Sequence, residues 1–214
     1  MNFLKRLLSS IILLPLFYIV IIKGSLVFIF FLIILFLISS YEWIKISQSN
    51  YQKFLGFIFL SFSFFTIFLF RVSDLNNNIS YFLLVAIICI SSDLGGYIFG
   101  NIFKGPKLTS ISPNKTYAGV IGAYILSFIF SYFFSIFFLN LKNDIKVNVF
   151  FITTVMFIST ISQIGDIIVS YFKRKAKIKD ASNIIPGHGG LLDRLDGAIF
   201  AYPFSYFLIL IFIR

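Results

Sequence analysis

Four aspartates in this sequence lie inside or beside long apolar segments: Asp93, Asp166, Asp193 and Asp196. An aspartate at the centre of a membrane helix costs about 2.5–3.5 kcal/mol on insertion scales, so such residues are functional candidates by default. One carboxylate near an interface can simply reach water. Four of them at segment ends, beside two basic loops, favour a site for a cation or a charged substrate.

The most informative stretch runs Pro186-Gly-His-Gly-Gly-Leu-Leu-Asp-Arg-Leu-Asp196. Its glycines let a ligand approach backbone N–H groups, and a helix predicted to start after them points its positive end at the loop. Asp193 and Asp196 share one face of that helix and, with Asp166, offer the oxygen ligands that Mg²⁺ takes when it also bridges phosphates. His188 alone is best explained as a turn residue. A zinc site built from histidines is excluded because the chain has one His.

Asp166 belongs to a polar stripe on one predicted helix. The members recur at steps of three and four residues and therefore share a face: Ser159, Ser162, Gln163, Asp166, Ser170, Lys173 and Arg174. Contacts between helices explain serine and glutamine at such positions. They do not explain an aspartate or a stripe that ends in Lys-Arg, so we expect this face to line a site.

Basic residues of two loops could neutralise phosphate groups. The run Lys173-Arg-Lys-Ala-Lys-Ile-Lys179, taken alone, is better explained by membrane topology or by attraction to anionic lipids. Beside the aspartates it becomes a clamp for a polyphosphate. In the earlier loop Ser112-Pro-Asn-Lys-Thr116, Lys115 is the stronger candidate. Small residues at Ser92, Gly96 and Gly100 are better explained by close helix packing.

The elements that carry these residues are apolar. The chain has 214 residues, of which 59% are hydrophobic and 12% charged, whereas soluble domains are about 25% charged. The fold class is therefore predicted to be all-α, a polytopic transmembrane helical bundle of about seven spans near the ~20 residues that a crossing needs. The predicted spans are Leu7–Ile22, Ser25–Tyr41, Phe54–Phe70, Ile79–Phe99, Thr116–Leu139, Asn148–Tyr171 and Leu191–Ile213.

We expect a single integral membrane domain over residues 1–214, with N-terminal spans in 1–90 and the chemical motifs in 91–203. Twelve Lys and Arg residues fall on one side of the predicted spans and five on the other, with Arg194 inside the last span. The side with more cations is normally cytoplasmic, so we predict the N-terminus inside and the C-terminus outside. The net charge of +10 is spread between apolar spans and not over one soluble face, which argues against nucleic acid.

Together the motifs resemble those of the phosphatidate cytidylyltransferases, also called CDP-diacylglycerol synthases. The family signature is matched by Ser170-Tyr-Phe-Lys-Arg174, Lys179-Asp180, Pro186-Gly-His-Gly-Gly190 and Asp193-Arg-Leu-Asp196. Gly165-Asp166, Ser112-Pro-Asn-Lys-Thr116 and Asp93 also match. The resemblance covers roughly residues 91–203, and the chain departs from it at Val169 and at Ala181-Ser182.

The resemblance implies transfer of a cytidylyl group from CTP to phosphatidic acid at the cytoplasmic face of the inner membrane. It implies Mg²⁺ held by Asp166 and Asp193, with a second cation near Asp196, these three aspartates being the catalytic set. It also implies a substrate-binding set: Asp93, Ser112, Lys115, Thr116, Lys173, Arg174, Lys179, Asp180, His188, Gly189, Gly190 and Arg194. Expected partners are CTP, phosphatidic acid and membrane lipids, with a homodimer left open.

Two other functions stay open at this point. The same motifs suit a cytidylyltransferase that acts on another lipid phosphate, because any lipid tail is met by apolar spans. A cation-coupled transporter would also use intramembrane aspartates, but it predicts carboxylates near the bilayer midplane and broken helices there. The CDP-alcohol phosphotransferases are excluded, because their Asp-Gly-x-x-Ala-Arg signature is absent from the sequence.

Overall fold

The computed structural model describes residues 17–72, 78–109, 112, 115–138, 149–185 and 189–212. They form a helical bundle whose elements are α1 (Ser25–Ile46), α2 (Asn50–Val72), α3 (Asn78–Phe103), α4 (Tyr117–Phe138), α5 (Val149–Lys175), α6 (Leu192–Leu195) and α7 (Ala198–Phe212). Residues 17–23, before α1, are also helical. Helices α1 to α5 are long and apolar enough to cross a membrane. The prediction of an all-α membrane bundle is confirmed, while the count of seven spans and the orientation stay predictions.

The outward faces of the long helices are apolar, as a lipid solvent requires. Phe30, Leu37 and Phe65 are more than half exposed although each lies within a predicted span. A bundle in water would bury such side chains, whereas hydrocarbon solvates them. Most of the predicted span Leu7–Ile22 lies outside the described residues.

Helices α3 and α4 approach each other closely through glycines. A Cβ added to Gly95 would lie 2.3 Å from the carbonyl oxygen of Gly122, so the two backbones touch where neither residue has a side chain. The prediction that small residues on α3 allow close helix packing is therefore confirmed. The contact also sets Asp93 of α3 beside Thr116, which precedes α4, at the same end of the bundle.

The last predicted span, Leu191–Ile213, was wrong as one continuous helix. The structure has the four-residue helix α6, a turn at Asp196-Gly197 and then α7. Aspartate and glycine are both poor residues for a helix interior, and the Asp196 carboxylate accepts the N–H of Gly197 at 3.0 Å. The interruption lies between Leu195 and Ala198, while Asp196 itself keeps helical backbone angles, φ −55° and ψ −40°.

Pro203 lies inside α7 and has no N–H to donate to the carbonyl oxygen of Ile199, four residues earlier. The hydroxyl of Ser63, on α2, donates to that carbonyl at a distance of 2.5 Å. The proline therefore creates a free acceptor inside the bundle, and a neighbouring helix satisfies it. Next to it, Tyr202 donates to the carbonyl of Phe82 at 3.2 Å, which joins α7 to α3 in the aromatic core.

Candidate active site

A cavity of about 380 Å³ lies where the ends of α3 and α5 meet the segments before α4 and around α6. Ten of the fifteen predicted site residues line it: Asp93, Ser112, Lys115, Thr116, Asp166, Lys173, Asp180, Asp193, Arg194 and Asp196. They come from four separate parts of the chain, and the fold brings them to one place. Additional lining residues include Ser92, Tyr97 and Gln163.

Lys115 connects the segment before α4 to α5. Its ammonium group lies 2.6 Å from the carboxylate of Asp166 and donates to the carbonyl oxygen of Gln163 at 3.2 Å. Ser170 donates to the other oxygen of Asp166 at 3.2 Å. Asp166 is thus oriented by two side chains, of which one carries the opposite charge.

Two further carboxyl groups stand close to Asp166. The carboxyl group of Asp196 lies within hydrogen-bonding reach of it, and Asp93 faces the charges of Asp166, Lys115 and Arg194. Like charges this close favour a cation between or beside them. Oxygen donors of this kind fit Mg²⁺, which takes one or two protein carboxylates and completes its shell with water and phosphate.

Among the residues that the structure describes, no three His, Cys, Asp or Glu side chains are grouped tightly enough to enclose one metal ion. Asp166 and Asp196 offer adjacent oxygens, which fits a cation whose other ligands come from substrate and water. The described residues therefore supply only part of a metal's ligands and leave the other positions to substrate and water.

Asp193 is oriented by a second ion pair and by backbone groups. One oxygen lies 2.7 Å from the ammonium group of Lys173, and the other accepts the N–H groups of Ala181 and Gly190, each at 2.9 Å. Lys173 is buried, with 8% of its surface exposed. A lysine this buried is tolerated because it is paired.

Four predicted residues lie away from the cavity lining. Arg174 is exposed and donates to the carbonyl of Ile178 at 3.4 Å, and Lys179 is also exposed. Gly190 gives its N–H to Asp193, while the Gly189 carbonyl accepts the N–H of Ile185 at 2.9 Å. The prediction for His188 falls outside the described residues.

Thr116 lines the cavity and has a structural role in addition to the predicted one. Its hydroxyl accepts the N–H of Gly119 at 3.1 Å, as a helix N-cap does. The carbonyl of Lys115 accepts the N–H of Leu108 at 2.8 Å, and that of Pro106 accepts the N–H of Tyr117 at 3.2 Å. These bonds fold the segment before α4 back on itself and hold Lys115 towards α5.

Comparison with known proteins assigns this arrangement to a family. The model of the cytidylyltransferase family matches residues 47–212. The chain belongs to the cytidylyltransferase family. It is 33% identical to the phosphatidate cytidylyltransferase of Rickettsia felis over 97% of this chain and 92% of that protein. It is 34% identical to that of Rickettsia typhi over 94% and 90%, and 33% identical to that of Bacillus subtilis over 63% and 49%.

One residue beside the site of this cytidylyltransferase family member was not predicted from the sequence. Glu42 is fully buried, and its carboxyl group accepts the N–H groups of Leu191 and Leu192 at 3.0 and 2.6 Å. Glu42 was not among the predicted site residues, because it follows the predicted span Ser25–Tyr41 and lies outside the two loops that carry the motifs. A glutamate in the last third of an apolar segment was the available signal, since such residues are costly.

Proposed function

We propose that this protein transfers the cytidylyl group of CTP to phosphatidic acid, giving CDP-diacylglycerol and pyrophosphate, as part of phospholipid synthesis. The observation that carries the proposal is the pair of lysine–carboxylate contacts, Lys115–Asp166 and Lys173–Asp193, lining one cavity. Such a cavity offers cations to phosphate oxygens and carboxylates to a metal. The names of the relatives support the choice of nucleotide and lipid.

In the proposed reaction a phosphate oxygen of phosphatidic acid attacks the α-phosphorus of CTP. The bond from that phosphorus to its bridging oxygen breaks, and pyrophosphate leaves with the electron pair. The protein's task in such a transfer is to hold both phosphates in line and to neutralise charge. Lys115, Lys173 and Arg194 line the cavity and are the cations best placed for this task.

Mg²⁺, when bound, would neutralise part of the triphosphate charge. We expect Asp166 and Asp193 to hold it, with Asp196 as a neighbouring oxygen donor for the same or a second cation. Lys115 and Lys173 already contact these carboxylates, so they keep the charge of the aspartates compensated before substrate arrives. Ser112 and Thr116 offer hydroxyl groups on the same wall of the cavity.

The proposed location is the inner membrane of a bacterial cell, with the cavity at the cytoplasmic face. CTP is supplied by the cytosol and phosphatidic acid by the adjacent leaflet, so both substrates reach this end of the bundle. The excess of Lys and Arg on the same side supports this orientation. A homodimer is compatible with the proposal but is not needed for it.

The test is CTP- and Mg²⁺-dependent formation of CDP-lipid by the purified protein in liposomes that contain phosphatidic acid. Asp193→Asn should reduce turnover by roughly 10²–10³-fold, because its amide cannot face both Lys173 and two N–H donors. Lys104→Gln, which changes an exposed cation outside the cavity lining, is the matched control. Near-normal turnover in Asp193→Asn would contradict the assignment of this carboxylate.

Liposomes with a polyprenyl phosphate in place of phosphatidic acid separate the proposed activity from its nearest alternative. If only the polyprenyl phosphate gives product, then it, and not phosphatidic acid, is the acceptor. Product from neither lipid, with correctly folded protein, would reject the transfer reaction and favour the transporter reading. Release of ³²P-pyrophosphate from γ-labelled CTP measures the same step from the other product.

A further inference from the structure

Glu42 is the only glutamate in the sequence, and it is fully buried on α1. Three donors surround its carboxyl group: the N–H of Leu191 at 3.0 Å, the N–H of Leu192 at 2.6 Å and the hydroxyl of Ser182. All three lie about 140 to 150 residues later in the chain. A buried carboxyl group that accepts three bonds is satisfied, and so are the groups that donate to it.

The two sides of one loop are held together by two carboxylates. Asp193 accepts the N–H of Ala181 on the entering side and that of Gly190 on the leaving side. Glu42 accepts from the next residues along, Ser182 on entering and Leu191 on leaving. The loop between them is therefore closed at its neck by Asp193 on one side and Glu42 on the other.

Gly190 shows that the approach of Glu42 is tight. A Cβ at this position would lie 2.9 Å from both carboxylate oxygens of Glu42, closer than real Cβ atoms come to their neighbours. The glycine that the sequence suggested as a ligand contact is thus needed for the backbone to reach Glu42. Its own N–H is used by Asp193.

The helix that carries Glu42 is fixed relative to the site. The indole of Trp43, the next residue, donates to the carbonyl of Gln52 at 3.0 Å. Its ring meets that of Phe172 with 4.8 Å between centroids, and Phe172 directly precedes Lys173 on α5. Glu42 is consequently held in register with the lysine that contacts Asp193.

We infer that Glu42 is a positioning residue, which sets the direction of the Asp193 carboxylate by anchoring the backbone just before it. It does not line the cavity, so it acts through Leu191 and Leu192 and not on substrate. This gives the first long helix a defined part in the site, beyond forming a membrane span. The inference rests on the proposed function only for its activity readout.

The test compares Glu42→Gln with Ser182→Ala and Gln48→Ala. The glutamine keeps the volume of Glu42 but replaces one acceptor oxygen by an NH₂ group, which cannot accept from Leu192. Ser182→Ala removes one bond from the opposite side and leaves Glu42 intact. Gln48→Ala is the matched control, because Gln48 also ties the end of α1 to α5, through the Lys175 carbonyl at 2.6 Å, without touching the loop neck.

Three quantities are measured in detergent: amide hydrogen exchange by mass spectrometry, Mn²⁺ affinity by electron paramagnetic resonance, and turnover. In Glu42→Gln we expect exchange at residues 190–192 to rise about tenfold, since one hydrogen bond is worth roughly that factor. Mn²⁺ affinity and turnover should each fall about tenfold or more, as for loss of a group that orients a metal ligand. Ser182→Ala should shift all three less, and Gln48→Ala should leave them unchanged.

Unchanged exchange at residues 190–192 in Glu42→Gln would overturn the inference. Higher exchange at residues 190–192 with normal Mn²⁺ affinity and turnover would also overturn it. An equal rise of exchange across α3 and α4 would overturn it as well, because the effect would then not be local. Failure of the proposed function is seen separately, as absence of product from the unaltered protein. Exchange and Mn²⁺ binding need no turnover, so they still decide the role of Glu42 in that case.

Discussion

Lys115 reaches from the segment before α4 to α5, where its ammonium group lies 2.6 Å from the carboxylate of Asp166. Lys115→Met keeps most of the side-chain volume and removes the charge. Asp166 then loses the cation that contacts it, so a divalent ion should bind more tightly, by about tenfold for one close charge. Turnover should fall by roughly 10²-fold, because the same cation is proposed to neutralise phosphate.

The measurements are Mn²⁺ affinity by electron paramagnetic resonance and turnover at saturating CTP. Lys104→Met, at an exposed position outside the cavity lining, controls for a general loss of positive charge. Weaker Mn²⁺ binding in Lys115→Met would mean that the lysine does not compensate the charge of the Asp166 carboxylate.

At this scale the sequence predicted most of the cavity, because its aspartates and lysines stand out against apolar segments and match family motifs. It failed for Glu42, whose partners are two backbone N–H groups and the Ser182 hydroxyl, all about 140 to 150 residues away in the sequence. It also overextended the stripe on α5. Lys173 is buried in the site, whereas Arg174, one residue further along α5 and so rotated by about 100° around the helix axis, is exposed.

At the scale of elements, α2 and α7 are joined by aromatic pairs such as Phe59–Phe200 and by one buried hydrogen bond, from the Ser63 hydroxyl. Ser63→Ala leaves the Ile199 carbonyl without a donor, because Pro203 cannot supply the usual N–H. A buried acceptor without a partner costs about 1–3 kcal/mol, so the melting temperature in detergent should fall by several degrees. Thermal unfolding followed by fluorescence of the single tryptophan measures this change.

Ser61→Ala is the matched control for that substitution. Ser61 lies on the same helix, but its hydroxyl donates to the carbonyl of Phe57 within α2, at 2.8 Å, so its loss breaks a hydrogen bond inside one helix. Equal melting temperatures for the two variants would mean that the Ile199 carbonyl finds another donor.

The elements also show what hydropathy can and cannot predict. Apolar windows located α1 to α5 within a few residues, because a bilayer demands such runs. The same windows merged α6 with α7, since Leu191–Ile213 is almost wholly apolar around Asp193, Arg194 and Asp196. The break at Asp196-Gly197 depends on local backbone preference and on the packing of α5, which average hydrophobicity does not record.

At the scale of the whole molecule, the contacts of α1 show which residues lie at each end of the bundle. This helix has 22 residues and is roughly 33 Å long, enough to cross the ~30 Å hydrocarbon core. Lys23 precedes it. At its other end, Gln48 donates to the carbonyl of Lys175, 2.6 Å away, so Lys175 lies on the side of the cavity. We therefore expect Lys23 and Lys175 to face opposite sides of the membrane.

Labelling of single cysteines decides which side is cytoplasmic. In a Cys89→Ala background, we expect Lys23→Cys to react with a membrane-impermeant maleimide in intact spheroplasts and Lys175→Cys to react only after permeabilisation. Both positions are exposed, so a difference in reaction reflects their side of the membrane and not burial. The reverse pattern would put the cavity outside, away from CTP, and would contradict the proposed reaction together with the N-in orientation. Labelling of both in intact spheroplasts would show that α1 does not cross the membrane.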